Sequence, residues 1–272
     1  MSIATLPTGV PLLALASSLS ESHLERLQRT CDELALLSGE LPDDTDYTIP
    51  ALVEPLPAGQ RVSLVVPVRN AEATIRQSIA RARKLPFPHE IVLVDDGSHD
   101  RTPDYLTLVE HQPGLHVICK PHRQGFGAAI RTGLNHASGD YVVIWDQAGL
   151  LELRDVPKLL TPLLRGEVEL VCGVRPKAQR SQRWLTRLTN RCLPGKRADV
   201  TAGCVALKRE LLDGLRLRSS GVELAAELAA KLARRHTAIC EVPLEYSATG
   251  EPYAWRQSLA WLLTLARYRW FD

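Results

Sequence analysis

The feature that most constrains this chain is a run of short apolar segments alternating with amphipathic ones between Arg61 and Val174. Val62 to Val66 reads as a β-branched strand that Pro67 ends, and Glu72 to Lys84 reads as a helix. Ile91 to Val94 is a second strand, Thr102 to Glu110 a helix, and Leu115 to Cys119 a third strand. Gly127 to Ala137 is helical, Tyr141 to Trp145 is a fourth strand, Val156 to Leu164 is helical and Val168 to Val174 is a fifth strand. These strands are apolar throughout instead of alternating, so both of their faces must be covered. Short connections and strict alternation then predict an α/β fold, a mostly parallel sheet sandwiched by helices. Ligands of such sheets bind outside the carboxyl ends of the strands. The polar residues there are Pro67-Val68-Arg69-Asn70, Asp95-Asp96-Gly97-Ser98, His122 to Gly127, and Asp146-Gln147.

Both flanks differ from this region. Ser22 with Glu25 forms a capping box ahead of Leu24, Leu27, Cys31 and Leu34, and Gly39 is a stop, so 22–38 reads as a helix. Such a stripe fits a helix packed on the main domain better than a dimer seam, since too few heptads are present. Residues 40–60 hold Pro42, Pro50, Pro55 and Pro57 and read as an extended linker or surface-hugging arm. The divisions expected are 1–60, 61–250 and 251–272. The last holds Tyr253, Trp255, Trp261, Tyr268, Trp270 and Phe271 with leucines and arginines between them, an amphipathic helix of the kind that lies in a bilayer interface. Docking on the protein's own core, or on a second copy in a homo-oligomer, stands beside that reading.

Charge is unevenly spread. The net charge is +2, yet residues 1–60 carry nine acids against two bases, and residues 175–198 carry eight bases and no acid. One concentrated basic segment suggests a local anionic partner, a phosphate or an anionic membrane surface, and argues against nucleic acid as a general polyanion. The six cysteines form no C-x-x-C pair, which fits a reducing cytoplasm and argues against a structural zinc site. No window holds 18 uninterrupted apolar residues, and Val10 to Ala16 lacks a preceding basic region and contains Pro11, so neither a transmembrane helix nor a cleaved leader is expected.

Each candidate has a plain alternative. Asp95 and Asp96 follow a buried strand and can accept from a base N–H or ribose hydroxyls; Asp95 and Asp100 suit helix capping better, and Asp96 is evenly balanced. Gly125-Phe126-Gly127 opens a helix, but Ile130 stands where a dinucleotide fingerprint needs its third small residue, so an NAD-dependent oxidoreductase is disfavoured. The glycines would let backbone approach a ligand closely, with Arg131 one turn on. Asp146 at a strand tip can hold a divalent cation against a diphosphate, although a single Asp there is more often a cap or turn residue.

In order, Val65-Val66-Pro67-Val68-Arg69-Asn70-Ala71-Glu72, Ile91 to Asp96 with Gly97-Ser98, Asp100 and Thr102, Gly125 to Gly133, and Ala137-Ser138-Gly139-Asp140-Tyr141 resemble the family 2 glycosyltransferases. Within these the likeness is to the dolichyl- or polyprenyl-phosphate sugar synthases; Asp199-x-Thr201-x-Gly203 and Ile239 to Pro243 match later landmarks, and the resemblance spans about 61–250. It implies a GT-A fold, a nucleotide-diphosphate sugar donor, Mg²⁺ or Mn²⁺, and inverting transfer. Carried over, Pro67, Arg69, Asp96, Gly97, Gly125, Gly127 and Arg131 would bind the donor. Asp146 would hold the metal, Arg175 with the basic segment after it would receive an acceptor phosphate, and Asp199 would complete the catalytic set. The setting would be cytoplasmic, peripheral at the inner face of the membrane.

The chain departs from the family pattern at Ala148, where a second metal-binding Asp is expected, and at Arg69 and Ala71, where the family has Tyr and Glu. The Arg expected after the Val-Pro strand is missing between Tyr246 and Tyr253. Arg69 and Arg131 could then neutralise the diphosphate without metal. A phosphate acceptor is already ionised near pH 7 and needs no strong base; Asp199 and Glu227 are candidate bases only for a hydroxyl acceptor. The alternative is a catalytically weakened relative that binds nucleotide or a protein partner without turnover.

Overall fold

The computed structural model describes residues 47–145, 152–174, 186–187, 204–221, 223–235 and 237–244, all within the compact unit Leu41–Asp272. The expected helix at 22–38, the basic segment apart from 186–187, and the aromatic C-terminal helix lie outside them, as do Asp146, Arg175 and Asp199.

Seven strands form one sheet: β1 Val62–Val68, β2 His89–Asp95, β3 Leu115–Cys119, β4 Tyr141–Ile144, β5 Leu170–Val174, β6 Val205–Lys208 and β7 Ile239–Pro243. Their spatial order is β3-β2-β1-β4-β6-β5-β7. All pairings are parallel except the two made by β6, which runs antiparallel between β4 and β5. Helices α1 Ile75–Ala82, α2 Thr102–Val109, α3 Phe126–His136, α4 Val156–Leu164 and α5 Leu224–Arg234 cover it. The expected GT-A-like α/β sheet is therefore present. The expectation lacked β6 and α5: a four-residue strand carries little periodic signal, and its direction is set by β4 and β5 and not by its own residues.

β1 is central and buried along its whole length, as the unbroken apolar run requires. Val65 with Val92, Val94, Val142 and Ile144 packs against Ala129, Ile130 and Leu134 of α3 and Leu224, Leu228 and Leu232 of α5. Leu64, Val66, Ile91, Leu93 and Val143, also buried, point by the period of two to the opposite face.

Two boundaries differ from the sequence reading. β1 continues through Pro67, which pairs in register with Val94. The amide of Trp145 donates to Val65 O at 2.9 Å and that of Asp96 to Val68 O at 2.9 Å, so odd-numbered residues of β1 face β4 and even-numbered ones face β2. β4 pairs with β1 no further than Ile144↔Val65, so the missing N–H of Pro67 forfeits no ladder bond. Helix α1 starts at Ile75 instead of Glu72 because the amides of Asn70, Ala71 and Glu72 are bound to Ser98 Oγ, Thr102 Oγ1 and Asp100 Oδ2 at 2.8–3.0 Å.

A hydrogen-bonded carboxylate closes the end of the sheet remote from the strands' carboxyl termini. Buried Glu90 accepts from Ser63 Oγ at 2.6 Å, Ser138 N at 2.6 Å and Ser138 Oγ at 2.7 Å. Burial pushes its carboxyl up, and the hydrogen bonds from Ser63 and Ser138 outweigh it, leaving the pKa below the ordinary value. The Ser138-Gly139-Asp140 signature is thus structural. A Cβ on Gly139 would lie 2.7 Å from Ser63 N and 2.8 Å from Arg61 O, main-chain atoms that cannot yield without moving β1. Gly139→Ala is expected to lower the unfolding free energy by about 2–3 kcal/mol, read as a shift in the urea midpoint; an unchanged midpoint would show that β1 accommodates the methyl group.

Candidate active site

β1 feeds β2 and β3 on one side of the sheet while β4 lies on its other side, so the order of strands reverses next to β1. The crevice outside the carboxyl ends at such a reversal is where open α/β sheets take ligands. A cavity of about 300 Å³ opens there, lined by Pro67, Val68, Arg69, Asn70, Ala71, Thr74, Asp96, Arg123, Phe126 and Ala129. Its floor is apolar, and Phe126 offers an aromatic face. Asp96 is the carboxylate among these described lining residues, and Arg69 and Arg123 are its exposed cations.

Asp95 and its neighbours build the frame. Asp95 Oδ2 accepts from Ser98 N at 3.1 Å, and its other oxygen takes the Ser98 hydroxyl. Asp100 accepts from Glu72 N and Thr102 N, each at 3.0 Å. Burial raises the Asp100 carboxyl, and the Thr102 hydroxyl and these amides more than offset it, so it stays ionised below the usual range. Asn70, at φ 48°, donates its amide to Ser98 Oγ and accepts from His99 N at 3.0 Å. The Asp-rich motif therefore holds the β1–α1 loop in shape; Asp95 binds Ser98 within the loop and caps no helix, and the N-cap of α2 is Arg101, with no side-chain cap bond.

Asp96 does something else. It is 3% exposed, and its oxygens accept from Gln124 N at 2.9 Å and Gly125 N at 2.8 Å. Lys120 Nζ, buried, lies 3.5 Å from Oδ1. Burial lowers the pKa of Lys120, and the Asp96 charge opposes that shift. Two amides and the Lys120 side chain thus hold the Asp96 carboxylate where it lines the cavity.

Gly97, at φ +67°, lets the loop after β3 come in: a Cβ there would sit 2.5 Å from Arg123 N. That close approach seats Arg123 at the rim, a residue the sequence reading passed over inside the stretch His122 to Gly127. Its position within that stretch was the available signal; the side on which it would emerge was not.

Three expectations are corrected. Arg131 does not line this cavity. Its guanidinium donates to the carbonyls of Leu217 and Arg218, and it borders a separate cavity with Leu134, Leu212 and Leu215. At Gly125 and Gly127 the close approach is made by main chain: a Cβ would lie 2.3 Å from Ser220 O and 2.4 Å from Gly221 O, so these glycines admit the 217–221 loop. Glu227 is no free base. It is fully buried and accepts from Arg218 N at 2.9 Å, Ser219 N at 2.7 Å and Lys231 Nζ at 2.7 Å. Burial acts to raise its pKa, but Lys231 and the Ser219 and Arg218 amides take it down to about 2.

A family model for "Glycosyl transferase family 2" matches residues 63–216, more than half of the chain. The chain belongs to that family. The matched region holds the whole cavity, from Pro67 to Ala129. Over 147 residues this family 2 chain is 34% identical to an undecaprenyl-phosphate 4-deoxy-4-formamido-L-arabinose transferase of Serratia proteamaculans, covering 52% of the chain and 43% of that protein. It is 31% identical over 203 residues to the transferase of the same name in Pseudomonas paraeruginosa, covering 68% of the chain and 57% of that protein. The chain thus spans about half the length of the curated relatives it matches. Among solved structures it resembles glucosyl-3-phosphoglycerate synthase from Mycobacterium tuberculosis in complex with Mn²⁺, UDP and phosphoglyceric acid, at a TM-score of 0.66 and 27% identity, covering 79% of this chain and 80% of that one. A structure of the same synthase with Mg²⁺ and UDP gives a TM-score of 0.61 at 26% identity, covering 78% of this chain and 80% of that one.

Among the described residues, no three His, Cys, Asp or Glu side chains converge on a point that could hold a metal ion. Trp145 carries β4 to the same rim immediately before Asp146. No helix among the described residues is long and apolar enough to cross a membrane.

Proposed function

We propose that this chain is a glycosyltransferase that takes a sugar from a nucleotide-diphosphate donor and passes it, with inversion, to a phosphate-bearing acceptor of the polyprenyl-phosphate class. The observation that carries the reading is the pairing of Asp96 with Arg69 and Arg123 around one apolar cavity at the strand reversal. The buried carboxylate selects the hydrogen-bond donors of a nucleoside, Phe126 and the apolar floor take its flat ring, and the two guanidiniums meet the diphosphate. A phosphate oxygen of the acceptor attacks the anomeric carbon from the face opposite the diphosphate; the new carbon–oxygen bond forms as the old one breaks, and the nucleoside diphosphate leaves with the electron pair. Both groups of relatives support this reading, one named for a polyprenyl-phosphate acceptor and the other solved with UDP and a phosphorylated acid.

No proton need be removed from an ionised phosphate, so the reading does not require a general base among the described lining residues, where Asp96 is the carboxylate and is bound to main-chain amides. Arg175 and the bases after it are assigned to the acceptor phosphate, at the inner face of the membrane. Asp199 acts as base only if the acceptor is a hydroxyl. Charge neutralisation of the leaving diphosphate falls to Arg69 and Arg123. A divalent cation, of the kind bound by the solved relative, would be held by Asp146 and would supply further charge neutralisation there.

Calorimetric titration with UDP, GDP and UDP-glucose, with and without Mn²⁺, tests the reading. A nucleoside diphosphate should bind, and Arg123→Ala should weaken it about tenfold while leaving the free nucleoside within about twofold. Turnover onto a polyprenyl phosphate completes the case. Binding without turnover on any phosphate acceptor would point instead to the weakened relative suggested by Ala148, and binding of NADH in place of these ligands would sink the proposal.

A further inference from the structure

The arm that precedes the family-matched region ends in a built contact. Between Tyr47 and Gln60 the chain forms neither helix nor strand, yet Tyr47 is 6% exposed. Its ring has the Arg81 guanidinium of α1 at 4.4 Å and that of Arg154 at 4.5 Å from the ring centroid. Its hydroxyl donates to Glu152 Oε2 at 3.2 Å. Burial, and then the Glu152 carboxylate, raise the Tyr47 pKa, which keeps the phenol protonated and a donor. Glu152 opens the single 3₁₀ turn Leu153–Asp155, closed by Asp155 N to Glu152 O at 2.9 Å and seated by Leu153 at 1% exposure. In the sequence Glu152 stands eight residues beyond Ile144, where β4 ends. The family match begins at residue 63, so Tyr47 lies outside it.

We propose that Tyr47 is a positioning residue of the transferase: it ties Glu152 and Arg154, where the chain returns from the carboxyl end of β4, to α1, whose preceding loop lines the nucleotide cavity. Each piece has a separate job. Arg81, half-buried, and Arg154, exposed, hold the buried ring from two elements that are distant in sequence. The phenol sets the rotamer of Glu152, and the 3₁₀ turn passes that constraint to the main chain. The arm, which has no chemistry of its own, thereby becomes part of the working unit.

The inference rests on the transferase reading, and its test keeps the two apart. Wild type, Tyr47→Phe and Tyr47→Ala are titrated with UDP in whichever condition, with or without Mn²⁺, wild type binds best, and amide exchange over residues 152–156 is followed in the same proteins. Tyr47→Phe keeps the ring between both arginines and loses only the bond to Glu152; it should stay folded and bind UDP about three- to tenfold more weakly. Tyr47→Ala should weaken UDP by tenfold or more and accelerate exchange of the 152–156 amides by about tenfold or more. If exchange accelerates while both variants bind UDP as wild type does, Tyr47 is only a staple of the fold and the inference is overturned. If wild type itself binds no nucleoside diphosphate, the transferase reading fails and this role goes with it.

Discussion

Asp96→Asn is expected to weaken nucleoside diphosphate binding about 100-fold while the chain stays folded. A hydrogen bond to an ionised group contributes about 1.5–3 kcal/mol, and each 1.36 kcal/mol is a factor of ten. The upper end applies because Asp96 is 3% exposed and its anion is already oriented by Gln124 N and Gly125 N. The amide keeps one acceptor oxygen and replaces the other by a donor that faces a main-chain N–H, so the loop carrying Arg123 is pushed from its seat as well. Asp96→Ala should do more. It strands two partly buried amides and leaves the buried Lys120 without its counter-ion, at a cost of about 3–5 kcal/mol in stability. Titration of the asparagine variant and thermal unfolding of the alanine variant check the two halves. Wild-type affinity in Asp96→Asn would remove Asp96 from the binding site altogether.

Glu227→Gln should be the costliest substitution away from the cavity. The carboxylate is fully buried and binds two successive main-chain amides, Arg218 N and Ser219 N, together with Lys231 Nζ. The loop it secures supplies the carbonyl of Ser220 to the amide of Ala128 in the first turn of α3, at 3.1 Å. Its folded pKa of about 2 lies below the ordinary 4.5. A depressed carboxyl stabilises the fold above the unfolded pKa, so this contribution is fully present above about pH 4.5 and disappears as pH falls towards 2. The difference corresponds to roughly 3 kcal/mol. Glu227→Gln should therefore unfold at markedly lower urea concentration at pH 7, and should lose less stability than wild type between pH 5 and about 2. Equal acid sensitivity in the two proteins would show that another group governs that limb.

Much of this site was legible in the residues. Four apolar runs, each followed by polar residues, located the sheet rim, and three of the expected donor-binding residues, Pro67, Arg69 and Asp96, meet in one cavity there. The choice between Asp95 and Asp96 was not legible. The pair are adjacent, and what separates them is that one finds the Ser98 hydroxyl and amide while the other finds the amides of residues 124 and 125, almost thirty positions away. That Arg123 lines the cavity and Arg131 does not has the same cause. Helical spacing shows that Arg131 is one turn into α3, but the packed loop at 217–221 decides that its guanidinium meets carbonyls and not the cavity. Gly125 and Gly127 announced a close approach in the sequence; the partner proved to be main chain.

Residue order alone determined the α/β class, the buried character of the run Val62 to Val66 and the rim on which ligands gather, because burial of apolar strands and helix faces follows from short-range periodicity. The tertiary structure alone decided which charged groups face that rim, that β6 runs against its neighbours, and that Tyr47 closes against Arg81, Arg154 and Glu152. Those outcomes depend on which desolvated polar atoms find one another across long loops, and a hydrogen bond or ion pair of that kind leaves no period in the chain.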